Sequence, residues 1–187
     1  MDYVHRTNLI PDPRFQHVED MRDQGLSQVT AVDHENGHRY VRVFYDGSAA
    51  DPYLDIANIL TAPGSYRLHF SAYAEAGSGL VRVYTRTVGA SAYRIVTERG
   101  VADGQTVTTA LGPFSLSSDT IVRIVPPKTS GGMIMITECN LERASTFDQA
   151  YPYFDWSTMP RETGGGGIRP SPVAAHAVRR SFWGLAA

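Results

Sequence analysis

Between residues 26 and 142 apolar and polar positions alternate with a period of two, in short segments rich in Val, Ile, Thr, Tyr and Phe. Successive side chains of a strand point to opposite faces, so this pattern predicts half-buried strands rather than helices. Nine segments fit: LSQVTAV (26–32), RYVRVFY (39–45), YLDIANIL (53–60), SYRLHFSAYAE (65–75), GLVRVYTRTV (79–88), AYRIVTE (92–98), QTVTTAL (105–111), TIVRIV (120–125) and GMIMITECNLE (132–142). The connectors APGS (62–65), EAGSG (75–79), RGVADG (99–104) and PPKTSGG (126–132) carry turn residues. Short strands at such regular spacing predict an antiparallel β-sandwich.

This pattern also decides the reading of a short stretch that looks catalytic. Residues 34–38, His34-Glu35-Asn36-Gly37-His38, match the H-E-x-x-H signature of zinc proteases. That chemistry needs a helix, because only there do residues i and i+4 project from one face toward a shared metal. Asn36-Gly37 is instead a strong hairpin signal, since a tight type I′ turn needs positive φ at both central positions. With strand-like segments on both sides, His34 and His38 are expected on opposing strands at a hairpin tip. No third ligand stands out, so no metal is expected.

After FDWSTMPRET come four glycines, Gly164 to Gly167, which read as a linker. Residues 1–160 are therefore expected to form the sandwich, and residues 161–187 a Gly-linked C-terminal extension. From Arg161 onward the chain has four Arg and one Glu, a balance of +3 against -5 for residues 1–160. A short helix is predicted after Pro172, ending near Arg179, Arg180, Phe182 and Trp183. A basic tail with two aromatics and no core of its own is a candidate docking peptide for a neighbouring protein.

Composition narrows the function. A net charge of -2 gives no global reason to expect nucleic acid. Sixteen of the 17 basic residues are Arg, a skew that fits a GC-rich genome. The single Cys139 excludes an intrachain disulfide and multi-thiolate metal sites. No apolar run approaches the roughly 20 residues of a membrane helix, and the N-terminus has neither the basic start nor the apolar segment of a signal peptide. No nucleophile elbow, phosphate-binding loop or dinucleotide fingerprint is present. Glu75, Glu98, Glu138 and Glu142 are the candidates for a glycosidase carboxylate pair, but strand-borne Glu is usually solvated surface and the spacing fixes no two across a cleft. Cys139, mid-strand, reads as a buried inert thiol. No catalytic residue, cofactor or enzymatic activity is expected. Tyr73, Tyr84 and Tyr93 stand on three successive predicted strands, and aromatic rings gathered on one sheet face would stack on sugar rings.

Two terminal patterns carry a resemblance. NLIPDPRF (8–15) is similar to the opening of carbohydrate-binding-module-like jelly-roll domains, with Asp12 where Asn is usual. ITECNLERASTFDQAYPYFDWSTMP (136–160) resembles the end of those domains in tailed-phage minor tail proteins: Leu141-Glu142 and Tyr153-Phe154-Asp155 match, while Trp156 replaces a Gly. TAPGSYRLHFSAYAE (61–75) also fits. The resemblance implies an all-β, antiparallel jelly-roll sandwich and a non-enzymatic virion component, most often a minor tail protein at or near the tail tip. Its partners would be other virion proteins, further copies of itself, and host-surface polysaccharide. The alternatives are a glycan-binding module for host envelope polysaccharide and a capsid decoration protein. Calcium, which many such modules carry, finds only Glu138 near the last strand, and no ligand set can be assembled. The expected place is the virion, after synthesis in the host cytoplasm.

Overall fold

The computed structural model describes residues 6–33, 39–147 and 166–167. Two antiparallel five-stranded sheets pack face to face in a jelly-roll sandwich. The first has the order β2 (Arg22–Gln24), β5 (Tyr53–Leu60), β10 (Asp119–Val125), β7 (Gly79–Arg86), β8 (Arg94–Val101). The second has the order β3 (Gln28–Asp33), β4 (Arg39–Tyr45), β11 (Gly132–Arg143), β6 (Gly64–Glu75), β9 (Thr106–Leu116). From β6 to β11 the chain crosses between the sheets at every step except β7 to β8, which are neighbours.

The inner faces follow the alternation. Leu68, Phe70 and Ala72 of β6, Val81 and Val83 of β7, Val122 and Ile124 of β10, and Ile134 and Ile136 of β11 are fully buried in one apolar cluster. At about 25 cal/mol per Å² of apolar surface removed from water, this cluster is the main force holding the layers together. All nine expected segments are strands. β9 runs on to Leu116, through Gly112-Pro113, which reads as a break in the sequence; a register shift against β6 between Tyr66 and Leu68 accommodates it. β2, three exposed polar residues, has no apolar alternation to betray it, and forms because β5 offers a free edge.

The β3–β4 hairpin is present, its last pair being Asp33 opposite Arg39, whose side chains form an ion pair. Residues 34–38, with both histidines of the zinc-like pattern and Asn36-Gly37, lie outside the described residues.

The opening motif closes the sandwich. β4 pairs with β11 only as far as Ile136, leaving the rest of that edge open. Asn8 fills the gap: its Nδ2 donates to the Cys139 carbonyl at 2.8 Å and its Oδ1 accepts from the Leu141 and Ile10 amides, each at 3.0 Å. The Leu9 amide donates to the Leu141 carbonyl. Ile10 and Phe15 then drop into the core, both fully buried, and Asp12 accepts from the His17 amide at 2.8 Å. Phe15 takes a positive φ of 50° to reach the core, a conformation costly for a bulky residue and held here by burial of its ring.

Gly166 and Gly167, read as linker, form β12 (Gly166–Gly167), a two-residue antiparallel ladder with β1 (Arg6–Thr7). Such a ladder uses backbone groups alone, so a glycine tract can supply it. The predicted helix after Pro172 and the Arg179, Arg180, Phe182 and Trp183 docking group lie outside the described residues. Among the described residues no helix is long and apolar enough to cross a membrane.

Candidate functional site

The outer face of the first sheet carries the candidate site. On β7, Val81, Val83 and Thr85 point inward, so Leu80, Arg82, Tyr84 and Arg86 point outward. On β10 the outward set is Asp119, Ile121, Arg123 and Val125, and on β5 it includes Tyr53 and Asp55. Register then builds a row across four strands: Asp55 lies opposite Arg123, Arg123 opposite Arg82, and Arg82 opposite Glu98 of β8.

Arg123 is the centre of this face. Its Nε and Nη2 donate to the two carboxylate oxygens of Asp55 at 2.7 and 3.0 Å, a bidentate fork. Its guanidinium lies 3.5 Å from the Tyr53 ring centroid and 5.2 Å from that of Tyr84, so two aromatic rings flank it. Burial works against its charge, and the hydrogen bond and charge of Asp55, with the two tyrosines, more than offset this and raise its pKa. Arg82 donates from Nε to Glu98 at 2.8 Å, and its pKa is likewise raised against the effect of burial by Glu98 and Tyr84.

Around these side chains lies a cleft of about 440 Å³. Arg82, Tyr84, Arg123 and Val125 belong to its sheet face, and Gln24 comes from the edge strand β2. Asp51, Pro52 and Tyr53 at the start of β5 and Lys128 in the β10–β11 loop complete its walls. Lys128 donates to Asp51 at 2.9 Å and holds that carboxyl below its usual range. Such an opening, with aromatic walls and convergent hydrogen-bonding groups, can hold a small polar ligand.

The three tyrosines expected on one face are divided. Tyr84 lines the cleft. Tyr93, just before β8, packs on the same side of the molecule, with the Arg86 guanidinium 4.5 Å from its ring and Arg86 in turn paired to Asp119. Tyr73 is half-buried on the outer face of the second sheet, opposite Met135 and Thr106. The reason is topological: β6 and β7 are consecutive in sequence but belong to different sheets. Tyr53, Arg123 and Arg82, which make the cleft, were not singled out by sequence reasoning. Arg123 and Asp55 are 68 residues apart, and only strand pairing joins them.

Three of the four acidic candidates are bonded within the fold, and the fourth, Glu75, is exposed at the end of β6. Glu98 holds Arg82; Glu138 accepts from the Ser71 hydroxyl at 2.8 Å; buried Glu142 accepts from Asn140 and Thr146. Glu138 has a φ of 56° within the register shift that β11 makes against β6 between Thr137 and Asn140. Cys139 is buried, and burial, with a smaller contribution from Glu138, pushes its thiol far above the ordinary range. Among the described residues no three His, Cys, Asp or Glu side chains gather as metal ligands.

No described protein family and no curated protein matches the chain. Solved structures do. The chain is similar to TmCBM61 in complex with β-1,4-galactotriose, with a TM-score of 0.52 and 16% identity over 73% of this chain and 98% of that one. A family 16 carbohydrate-binding module gives a TM-score of 0.53 and 14% identity over 72% and 99%. The enzymatically active domain of bacteriophage CBA120 tailspike protein 4 gives 0.52 and 12% over 72% of this chain but 21% of that one. At these identities the likeness concerns the fold: a jelly-roll sandwich of the kind that carbohydrate-binding modules use.

Proposed function

We propose that the chain is a non-catalytic glycan-binding module whose ligand sits in the cleft on the outer face of the first sheet. The observation that carries this reading is Arg123, 3.5 Å from the Tyr53 ring and 5.2 Å from that of Tyr84, in the lining of an opening of about 440 Å³. An aromatic ring offers a flat apolar surface to the C–H face of a sugar, while fixed side-chain donors meet its oxygens. The fork to Asp55 and the Tyr53 ring fix the Arg123 donors before any ligand arrives, which lowers the ordering cost of binding. The solved likeness of TmCBM61 with a bound galactotriose supports the same reading. Binding thus stands ahead of pure assembly as the function this geometry favours. A glycan array probed with the wild-type chain and with Tyr84→Ala tests it. Wild-type binding lost in the variant is the expected result; no binding by either, or equal binding by both, would reject it.

A second reading places this module in a tailed-phage virion, as an oligomeric minor tail component near the tip or on the capsid. What supports it is the closing segment that resembles the end of such domains in phage minor tail proteins, whose strand residues Cys139 and Leu141 are gripped by Asn8 of NLIPDPRF, the motif similar to the opening of carbohydrate-binding-module-like jelly rolls. On this reading Arg179, Arg180, Phe182 and Trp183 dock the module to neighbouring virion proteins, and the glycan belongs to the host surface. Deleting residues 168–187 would then leave the sandwich folded and remove the chain from particles. Unchanged incorporation would refute the docking role.

A further inference from the structure

We propose that the sugar held in the cleft carries a carboxylate, seated between Arg82 and Arg123; this rests on the glycan-binding reading and narrows it to acidic glycans. The starting point is an arrangement that a sheet ordinarily avoids. Arg82 and Arg123 lie directly opposite each other on adjacent strands, facing outward together, and like charges so placed repel. Their acidic partners, Asp55 and Glu98, stand at the two ends of the row and neutralise it from outside. The positive pair is therefore left in the middle, where the cleft opens, and neither Asp55 nor Glu98 lines that opening.

The walls point the same way. Three cations, Arg82, Arg123 and Lys128, face one acid, Asp51, which Lys128 already holds. A guanidinium has five N–H donors; Asp55 takes two of those of Arg123 and Glu98 takes one of those of Arg82. The charged groups of the lining are thus weighted toward donors, with Asp51 as their single carboxylate, while Gln24, Tyr53 and Tyr84 add groups that both donate and accept. A neutral sugar brings no charge to offset the facing guanidiniums of Arg82 and Arg123. An ionised carboxylate only accepts, and its planar pair of oxygens matches the guanidinium fork. The Tyr53 ring, 3.5 Å from Arg123, holds the plane of that fork in place.

The test is calorimetric titration of the full chain with uronic-acid oligosaccharides (galacturonate, mannuronate and glucuronate series), each beside its carboxyl-reduced counterpart. The expected result is that at least one acidic series binds about tenfold or more tightly than its reduced form, with affinity falling as salt is raised. Arg82→Gln should erase that difference, and Arg82→Lys, which keeps the charge, should retain part of it. Equal or tighter binding of the reduced forms would overturn the carboxylate while leaving glycan binding intact. Binding of neither set would overturn both.

Discussion

Arg123 reaches across from β10 to grip both carboxylate oxygens of Asp55 on β5, and the Asp55 side chain has no solvent exposure while that of Arg123 retains 21%. The asymmetry decides which partner is harder to lose. Arg123→Met would strand a buried carboxylate, and breaking a buried pair in this way costs about 3–5 kcal/mol. Adding Asp55→Leu to that variant removes the stranded charge and is expected to recover most of the loss. Urea denaturation midpoints of the single and double variants check this; additive losses would contradict it.

Asn8 acts as a piece of strand made from a side chain. Asn8→Ala leaves the Leu141 and Ile10 amides and the Cys139 carbonyl without these bonds, and is expected to lower stability by about 3 kcal/mol. Asn8→Asp keeps the two accepted bonds but sets a buried carboxylate oxygen against the Cys139 carbonyl, so it too should be less stable than wild type. Equilibrium unfolding ranks the three chains, and an Asn8→Ala variant as stable as wild type would refute this role of the motif.

The division of the tyrosines makes a sharp contrast in binding. On any glycan the chain retains, Tyr84→Ala should lose at least about tenfold in affinity. Tyr73→Ala, on the other sheet, should bind as wild type does. Tyr93, tied to Arg86 beside the cleft, is expected to have a smaller effect than Tyr84. Affinity titrations of the three variants decide the matter, and a Tyr73 effect as large as that of Tyr84 would move the site.

Cys139 should be silent toward thiol reagents in the native chain. Its thiol is buried and its pKa raised, so the reactive thiolate is suppressed, and colour from a disulfide reagent should develop only on unfolding. The sign of the pH effect follows. The folded state keeps the proton where the unfolded chain, with an ordinary thiol pKa near 9.0, gives it up, so this group's contribution is intact below that pH and erodes as pH rises above it. Rapid native labelling at pH 8 would contradict the burial.

The strands were legible because their signal is local. RYVRVFY and YLDIANIL coincide with β4 and β5, since alternation of Val41 and Val43, or of Leu54 with Tyr53 and Asp55, is a property of neighbours in sequence. The site was less so, because it is made by register. Nothing in the chain marks Arg82 and Arg123 as opposite each other, and the alternation that places Tyr73 and Tyr84 on outward faces does not tell which sheet each belongs to. Even parity fails at Glu138, where the shift in β11 inserts one extra residue and moves the inward set from Ile136 to Cys139 and Leu141. Asn8 was visible as part of a motif, but its task of finishing the edge of β11 appears only once β4 is seen to stop pairing at Ile136.

The most direct test of the account is to locate the ligand. Backbone amide shifts of the isotope-labelled chain, followed by NMR as the best-bound oligosaccharide is added, should move most around Tyr53, Arg82, Tyr84 and Arg123, with the face around Tyr73 unchanged. Shifts confined to the second sheet or to the loops at the sandwich ends would contradict it.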